Sequence, residues 1–287
     1  MHRRDLLKAS VTGAAVYVLH LTRAFAEGTS ALPESFAALE HRHGGRLGVA
    51  VLDTETGHRF AHRGNQRFLM CSTFKVLLVA AVLARVDHGK ARLEQRIVFD
   101  KSALLDWAPV TKLHVGPPGM SIAALCEVAI TVSDNTAANL LLHLMGGPGA
   151  VTHYARSLGD RETRLDRTEP TLNRPDGELD TTTPWAMLGD MRRLLLGDAL
   201  MVASRERLTE WLRHCQTGTN SLRAGLPSDW REGDKTGSGD TATNDVAILW
   251  PPQRKPLLVT AYYENGSVSA RQRYAVLADT GRIVAAL

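Results

Sequence analysis

The sequence predicts a two-lobed α/β (α+β) fold, in which one antiparallel sheet built from both chain ends, with flanking helices, sits beside an all-helical lobe. Three observations carry that expectation. Strand-like segments lie at both ends of the chain, the middle is helical, and no repeat or low-complexity linker divides the 287 residues. A chain of this length can bury a large share of its surface without disulfides or metals. Its composition, 44% hydrophobic and 22% charged, is that of an ordinary globular protein.

The elements follow in order. Residues 1–26 read as a leader: a charged start (Arg3, Arg4, Lys8), an apolar stretch from Ala9 to Thr22, and a small-x-small cleavage site at Ala24-Phe25-Ala26. The paired arginines followed by Leu6-Leu7-Lys8 resemble a twin-arginine export signal, so the expected partner of the precursor is the twin-arginine export machinery and the expected destination is the periplasm. The apolar stretch is short for a span and holds Ser10, Thr12 and His20, so cleavage is expected over anchoring.

Residues 27–287 are then expected to form a single domain, with the α/β lobe at about 27–64 plus 218–287 and the helical lobe at about 65–217. Leu47–Thr54 and His58–Arg63 flank Glu55-Thr56-Gly57 as a hairpin. Ser72–His88 contains a run from Val76 to Ala84 that is apolar on all faces, so this helix should be central and buried. Ser121–Thr131, Thr136–Met145, a helix opened by Thr183-Pro184, and Ser204–Cys215 complete the helical middle. Arg231–Ser238, Asn244–Trp250 and Leu257–Tyr263 read as strands, and Ser269–Leu287 as a closing helix. The cleft between lobes is the natural place for a site.

Charge excludes some functions. Of 34 basic and 30 acidic residues, four and one lie in residues 1–26, which leaves 30 and 29. That balance offers no bulk attraction to nucleic acid or to a membrane surface. Cys71, Cys126 and Cys215 form no CxxC pair, no HExxH is present, and the close pairs His41/His43 and His58/His62 sit in polar stretches, so neither metal nor cofactor is expected.

Three short motifs carry chemistry. Ser72-Thr73-Phe74-Lys75 is the only Ser-x-x-Lys in the chain. Residues three apart at a helix start share a face, so an amine would stand beside a hydroxyl, near the partial positive charge of the helix N-terminus. A lysine there opposes the helix dipole in an otherwise apolar helix and needs a reason. Ser133-Asp134-Asn135 lies between two helices, where a polar capping turn is the plainer reading. Lys235-Thr236-Gly237-Ser238-Gly239 ends a strand, where glycine permits close backbone approach.

Taken together and in this order, the motifs and their surroundings resemble the class A serine β-lactamases, within the superfamily of penicillin-binding serine hydrolases, over nearly the whole of residues 27–287. Glu169-Pro170-Thr171-Leu172-Asn173 is similar to the loop that supplies a general base in that family and that penicillin-binding DD-peptidases lack. The resemblance implies the serine β-lactamase/DD-peptidase-like fold and hydrolysis of penicillins and cephalosporins through an acyl-enzyme, which confers resistance. A DD-peptidase or a β-lactam-binding sensor is the alternative. It implies catalytic roles for Ser72 (nucleophile), Lys75, Ser133 (proton to the leaving nitrogen), Glu169 (water activation with Asn173) and Lys235. It implies substrate contacts from Trp107, Asn135, Asn173, Lys235, Thr236, Gly237 and Ser238, an oxyanion hole of the Ser72 and Ser238 N–H groups, and an Arg167–Asp180 ion pair closing the neck of the loop. The expected partners are small β-lactams, and the expected state is a monomer.

Departures from the family pattern are visible. The loop from Glu169 to Asp180 is shorter than expected, and no arginine lies between Lys235 and Pro251 to meet the substrate carboxylate, which leaves Arg223, Arg271 and Arg273 as candidates. In the carbapenem-hydrolysing branch of the family, a cysteine at the place of Cys71 is bridged to a cysteine at the place held here by Gly239. The resemblance therefore implies an unpaired Cys71 and poor carbapenem turnover.

Overall fold

Five strands run antiparallel in the order β2-β1-β9-β8-β7 in the computed structural model, which describes Leu32 and residues 35–287. The leader and its cleavage site fall outside those residues. In chain order the strands are β1 (Arg46–Asp53), β2 (Arg59–His62), β3 (Phe68–Leu69), β4 (Arg96–Ile97), β5 (Met120–Ser121), β6 (Thr181–Thr182), β7 (Arg231–Ser238), β8 (Ala242–Trp250) and β9 (Leu257–Glu264). β1 and β2 form the expected hairpin, with Leu52 opposite Arg59. β1 joins the other end of the chain through β9, with Val51 opposite Val259. β3–β6 and β4–β5 are small separate pairs.

Period-two alternation gives the sheet two buried faces. Leu47, Val49, Val51, Ala247, Leu249, Val259 and Tyr263 face α8 (Ala270–Ala285) and α1 (residues 35–43) through Val276, Leu277, Val284, Phe36 and Leu39. Ala50, Leu52, Val246, Ile248, Leu258 and Tyr262 face the helical side. Gly48 belongs to that second face: a Cβ there would stand 2.3 Å from Cε2 of Phe68, so glycine lets the ring lie flat on the strand.

The helical side is built on α2 (Phe74–Asp87), buried from Phe74 through Leu83 as its apolar circumference requires. Around it stand α3 (Ile122–Thr131), α4 (Asn135–Met145), α5 (Gly149–Ser157), α6 (Pro184–Leu195) and α7 (Val202–Arg213). Side-chain caps set the starts. Ser121 accepts from Ala124 N, Asp134 from Ala137 N, and Thr183 from Ala186 N ahead of Pro184. α4 stops at Gly146, whose φ of +93° is left-handed. Ser269 and Gln272 form a capping box at the start of α8.

Three segments differ from expectation. α5 is not visible in the sequence because Gly146-Gly147-Pro148-Gly149 reads as a stop, and only Val151 and Ala155 of α5 are buried. α7 starts at Val202, so Ser204 lies inside the helix and donates to Asp87 Oδ1. Ser72 sits in a 3-10 turn, Cys71–Thr73, just ahead of α2.

Asp190 of α6 is an exception to the apolar interior. It is fully buried, and among the described residues no donor reaches either of its oxygens. Asp160 uses Oδ1 to accept from Glu162 N and Thr163 N and leaves Oδ2 unpartnered, so a protonated Asp190 can donate to it. Burial, then the Asp160 charge, push the Asp190 carboxyl up to about 9. The unfolded chain releases this proton near the ordinary value of 3.8 while the native state keeps it. Between those limits the native state binds more protons, and stability falls as pH rises. Asp190→Asn is therefore expected to raise Tm at pH 8, with a gain that shrinks toward pH 4. Thermal unfolding of both proteins across that range checks it, and a gain of equal size at both ends would contradict the shared proton.

Candidate active site

The candidate residues converge where the edge strand β7 meets the turn before α2. Ser72, Trp107, Ser133, Asn135, Asn173, Thr236 and Ser238 line one cavity of about 330 Å3, together with Thr217 and Tyr274. Lys75, Glu169, Lys235 and Gly237 are buried immediately behind it. Three larger cavities, of about 680, 740 and 400 Å3, lie against Trp185, Met145 and Trp230 and contain none of these groups.

Local backbone explains how Ser72 is presented. Cys71 has φ +45°, a left-handed conformation that a non-glycine residue holds only when its surroundings impose it. Asn244 of β8 donates from Nδ2 to Leu69 O (2.8 Å) and Met70 O (3.0 Å), tying this turn to the sheet. A Cβ on Gly237 would stand 2.7 Å from Met70 O and 3.2 Å from Ser72 N, so only glycine lets β7 approach the turn. That approach brings the end of β7 against the Ser72 backbone.

Lys75 Nζ lies in the first turn of α2, with no exposed side-chain surface. It donates to Ser133 O (2.9 Å), Ser133 Oγ (3.2 Å) and Asn135 Oδ1 (2.6 Å), and lies 3.1 Å from Glu169 Oε1. Burial drives its pKa down to about 8 against the opposing pull of Glu169, and the Lys235 charge lowers it further. Ser72 Oγ donates to the same Glu169 Oε1 at 3.1 Å. Glu169 Oε2 accepts from Asn173 Nδ2 at 2.6 Å. Hydroxyl and amine therefore meet at one carboxylate oxygen, so a proton leaving Ser72 has one buried acceptor in direct reach, with Lys75 beside that acceptor.

Each wall has its own support. Asp134 accepts from Val110 N, Thr111 N and Thr111 Oγ1 as well as from Ala137 N. The capping reading of Ser133-Asp134-Asn135 therefore holds for Asp134, while Ser133 and Asn135 line the cavity on either side of it. Ser133 has φ +57°. Trp107 is 54% exposed, and its Nε1 donates to Val132 O at 3.0 Å. Arg167 Nε pairs with Asp180 Oδ2 at 2.5 Å, where the neck of the Glu169 loop was expected to close. Lys235, also lowered by burial, turns Nζ to Thr236 O at 2.7 Å, whereas Ser133 Oγ takes its hydrogen bond from Lys75. Burial pushes the Cys71 thiol well up, which makes it a poor nucleophile beside Ser72.

Several members of the site are not legible in the motifs. Asn139 clamps the Glu169 backbone from both sides, accepting from its N–H (3.0 Å) and donating to its carbonyl (2.9 Å). Its place one turn after Asn135 on α4 is the only signal for it. Thr217 and Tyr274 come from a loop and from α8 with no local pattern. No group of three or more metal-ligating side chains occurs among the described residues.

Comparison with known proteins supports the same reading. Residues 31–286 match the model of the "Beta-lactamase enzyme family". The chain is 44% identical to Beta-lactamase OXY-2 of Klebsiella oxytoca over 96% of each chain. It is 48% identical to Beta-lactamase L2 of Stenotrophomonas maltophilia over 86% of this chain and 83% of that one. Among solved structures, an ancestral (GNCA) class A β-lactamase shares 59% identity at a TM-score of 0.86, covering 88% of this chain and 98% of that one. With the buried Ser72–Lys75–Glu169 cluster on this sheet and these likenesses along nearly its whole length, the chain belongs to the β-lactamase enzyme family, as a class A member.

Proposed function

We propose that this chain opens the lactam amide of penicillins and cephalosporins through an ester on Ser72 and then hydrolyses that ester with a water activated by Glu169. The observation that carries the reading is the single oxygen, Glu169 Oε1, that lies 3.1 Å from both Ser72 Oγ and Lys75 Nζ. In this reading Ser72 Oγ attacks the lactam carbonyl and its proton passes to the Lys75–Glu169 pair. The oxyanion is met by the Ser72 and Ser238 N–H groups, each such donor being worth roughly 10²–10³ in rate. Ser133, supplied through Lys75, protonates the departing nitrogen, and the C–N bond breaks. Glu169 and Asn173 then hold the water that attacks the ester, and Ser72 leaves with the returned proton. Asn135 meets the substrate side-chain amide, Trp107 forms a wall, and Lys235, Thr236 and Ser238 receive the carboxylate. We also propose residues 27–287 as one catalytic domain, delivered as a monomer to the periplasm after loss of residues 1–26.

Glu169→Gln is expected to keep acylation and lose deacylation. Intact-mass spectrometry after addition of a penicillin should show an adduct on Ser72 that persists, and rapid return to the free mass would refute the role of Glu169.

The Cys71 site bears on the spectrum. Cys71, Cys126 and Cys215 are all free and buried, and a Cβ at Gly239 would lie 3.3 Å from Cys71 Sγ. A side chain at 239 could therefore reach Cys71, but glycine supplies none. Carbapenem kcat/KM is expected far below that for a penicillin, with three thiols titrated in the denatured, unreduced mature protein. Comparable kcat/KM for the two drug classes would overturn this expectation.

For the leader, replacing Arg3 and Arg4 with lysine is expected to leave activity in the cytoplasm. Fractionation that finds periplasmic activity unchanged would remove the pair from the export signal.

A further inference from the structure

Among the described residues no arginine lines the cavity. Arg223 is engaged by Glu232 (2.8 Å) and Asp234. Arg273 is 4% exposed and donates to Thr243 Oγ1 (3.1 Å), Gly239 O (3.1 Å), Val268 O (2.8 Å) and Asn265 O (3.3 Å), so its fork is spent on backbone and sheet. Arg271 is exposed and does not line the cavity. All three arginines that the sequence offers are therefore placed elsewhere.

What does line the cavity there is Tyr274. Its neighbour Arg273 binds Thr243, the cross-strand partner of Ser238, and the Gly239 carbonyl that follows. The first turns of α8 are thereby held against the end of β7, and Tyr274, half-buried, lines the same cavity as Thr217, Thr236 and Ser238. Apart from Lys235 behind the wall, that end offers neutral hydroxyls. Thr217 and Thr236 already share a hydrogen bond of 2.5 Å.

We infer that Tyr274 is a substrate-binding residue of this enzyme, its phenol O–H donating to the substrate carboxylate where an arginine would otherwise stand. The inference rests on the β-lactamase reading of the site and adds the group that recognises one end of the substrate. A phenol gives one neutral donor, whereas guanidinium gives a charged and forked pair, so carboxylate recognition here is weaker and less salt-dependent than an arginine would make it.

The test compares a penicillin with its methyl ester, which lacks the carboxylate charge and one acceptor oxygen. Steady turnover of the penicillin by the unaltered enzyme comes first; its absence would remove the β-lactamase reading itself rather than the role of Tyr274. Tyr274→Phe, which keeps the ring, should raise KM for the acid roughly threefold to tenfold, the loss of one neutral hydrogen bond, with kcat changed less than twofold. The ester should show no such change. Tyr274→Arg should lower KM for the acid and make it more sensitive to added salt. Equal effects on acid and ester, or no effect of Tyr274→Phe on the acid, would overturn the assignment.

Discussion

A lysine with no access to water, in the first turn of an otherwise apolar helix, is the constraint on which the rest of the site depends. Removing an ammonium group from water costs on the order of several kcal/mol unless partners replace the lost hydration. Lys75 obtains them from two separate segments: Ser133 and Asn135 at the start of α4, and Glu169 from the long loop before β6. Each of those segments needs its own anchor, Asp134 for the first and Asn139 for the second, and both anchors lie within five residues of each other. One buried charge thus draws together the start of α4 and a loop, and the polar atoms gathered to satisfy it are the ones the proposed mechanism uses beside Ser72. The same burial that makes the lysine costly brings its pKa to about 8, within the range where an amine can exchange a proton in neutral solution.

A second constraint acts on the backbone. The turn carrying Ser72 is held from below by Asn244 and from the side by Gly237, and its left-handed residue, Cys71, is locked in the interior. Sheet and helix meet at this point with almost no space between them. The serine is then presented by a rigid edge rather than by a mobile loop, which keeps its hydroxyl and the neighbouring backbone in a fixed relation.

Most of the framework is legible in the sequence because it rests on local rules. The hairpin around Glu55-Thr56-Gly57, the apolar run from Val76 to Ala84, the Thr183-Pro184 start of α6 and the strand Arg231–Ser238 each announce themselves by period, cap or turn residue. The motifs likewise point to Ser72, Lys75, Ser133, Asn135, Glu169 and Lys235. What escapes is whatever depends on distant segments meeting. α5 hides behind a glycine-rich opening that looks like a stop. Arg223 and Arg273 cannot be told apart from a substrate-binding arginine until the carboxylates and carbonyls that occupy them are seen. Asp190 looks like any polar residue of a helix, and its burial beside Asp160 belongs to packing alone. Tyr274 faces the site only because α8 lies across the end of β7, about which no local pattern speaks.

The pairing of β1 with β9 has a consequence for how the protein is made. Val49 and Val51 can find Ala261 and Val259 only once the whole helical middle has been made, since β9 follows it in the chain. Until then β1 carries one open edge and its buried face lacks α8, so a nascent chain exposes apolar strand to its surroundings during most of synthesis. Contacts so far apart in sequence also slow the search for the native pairing. The sheet is therefore expected to close only after the helical middle has been made, and a chain that lacked β9 and α8 would keep every motif of the active site without the strand that joins β1 to β8.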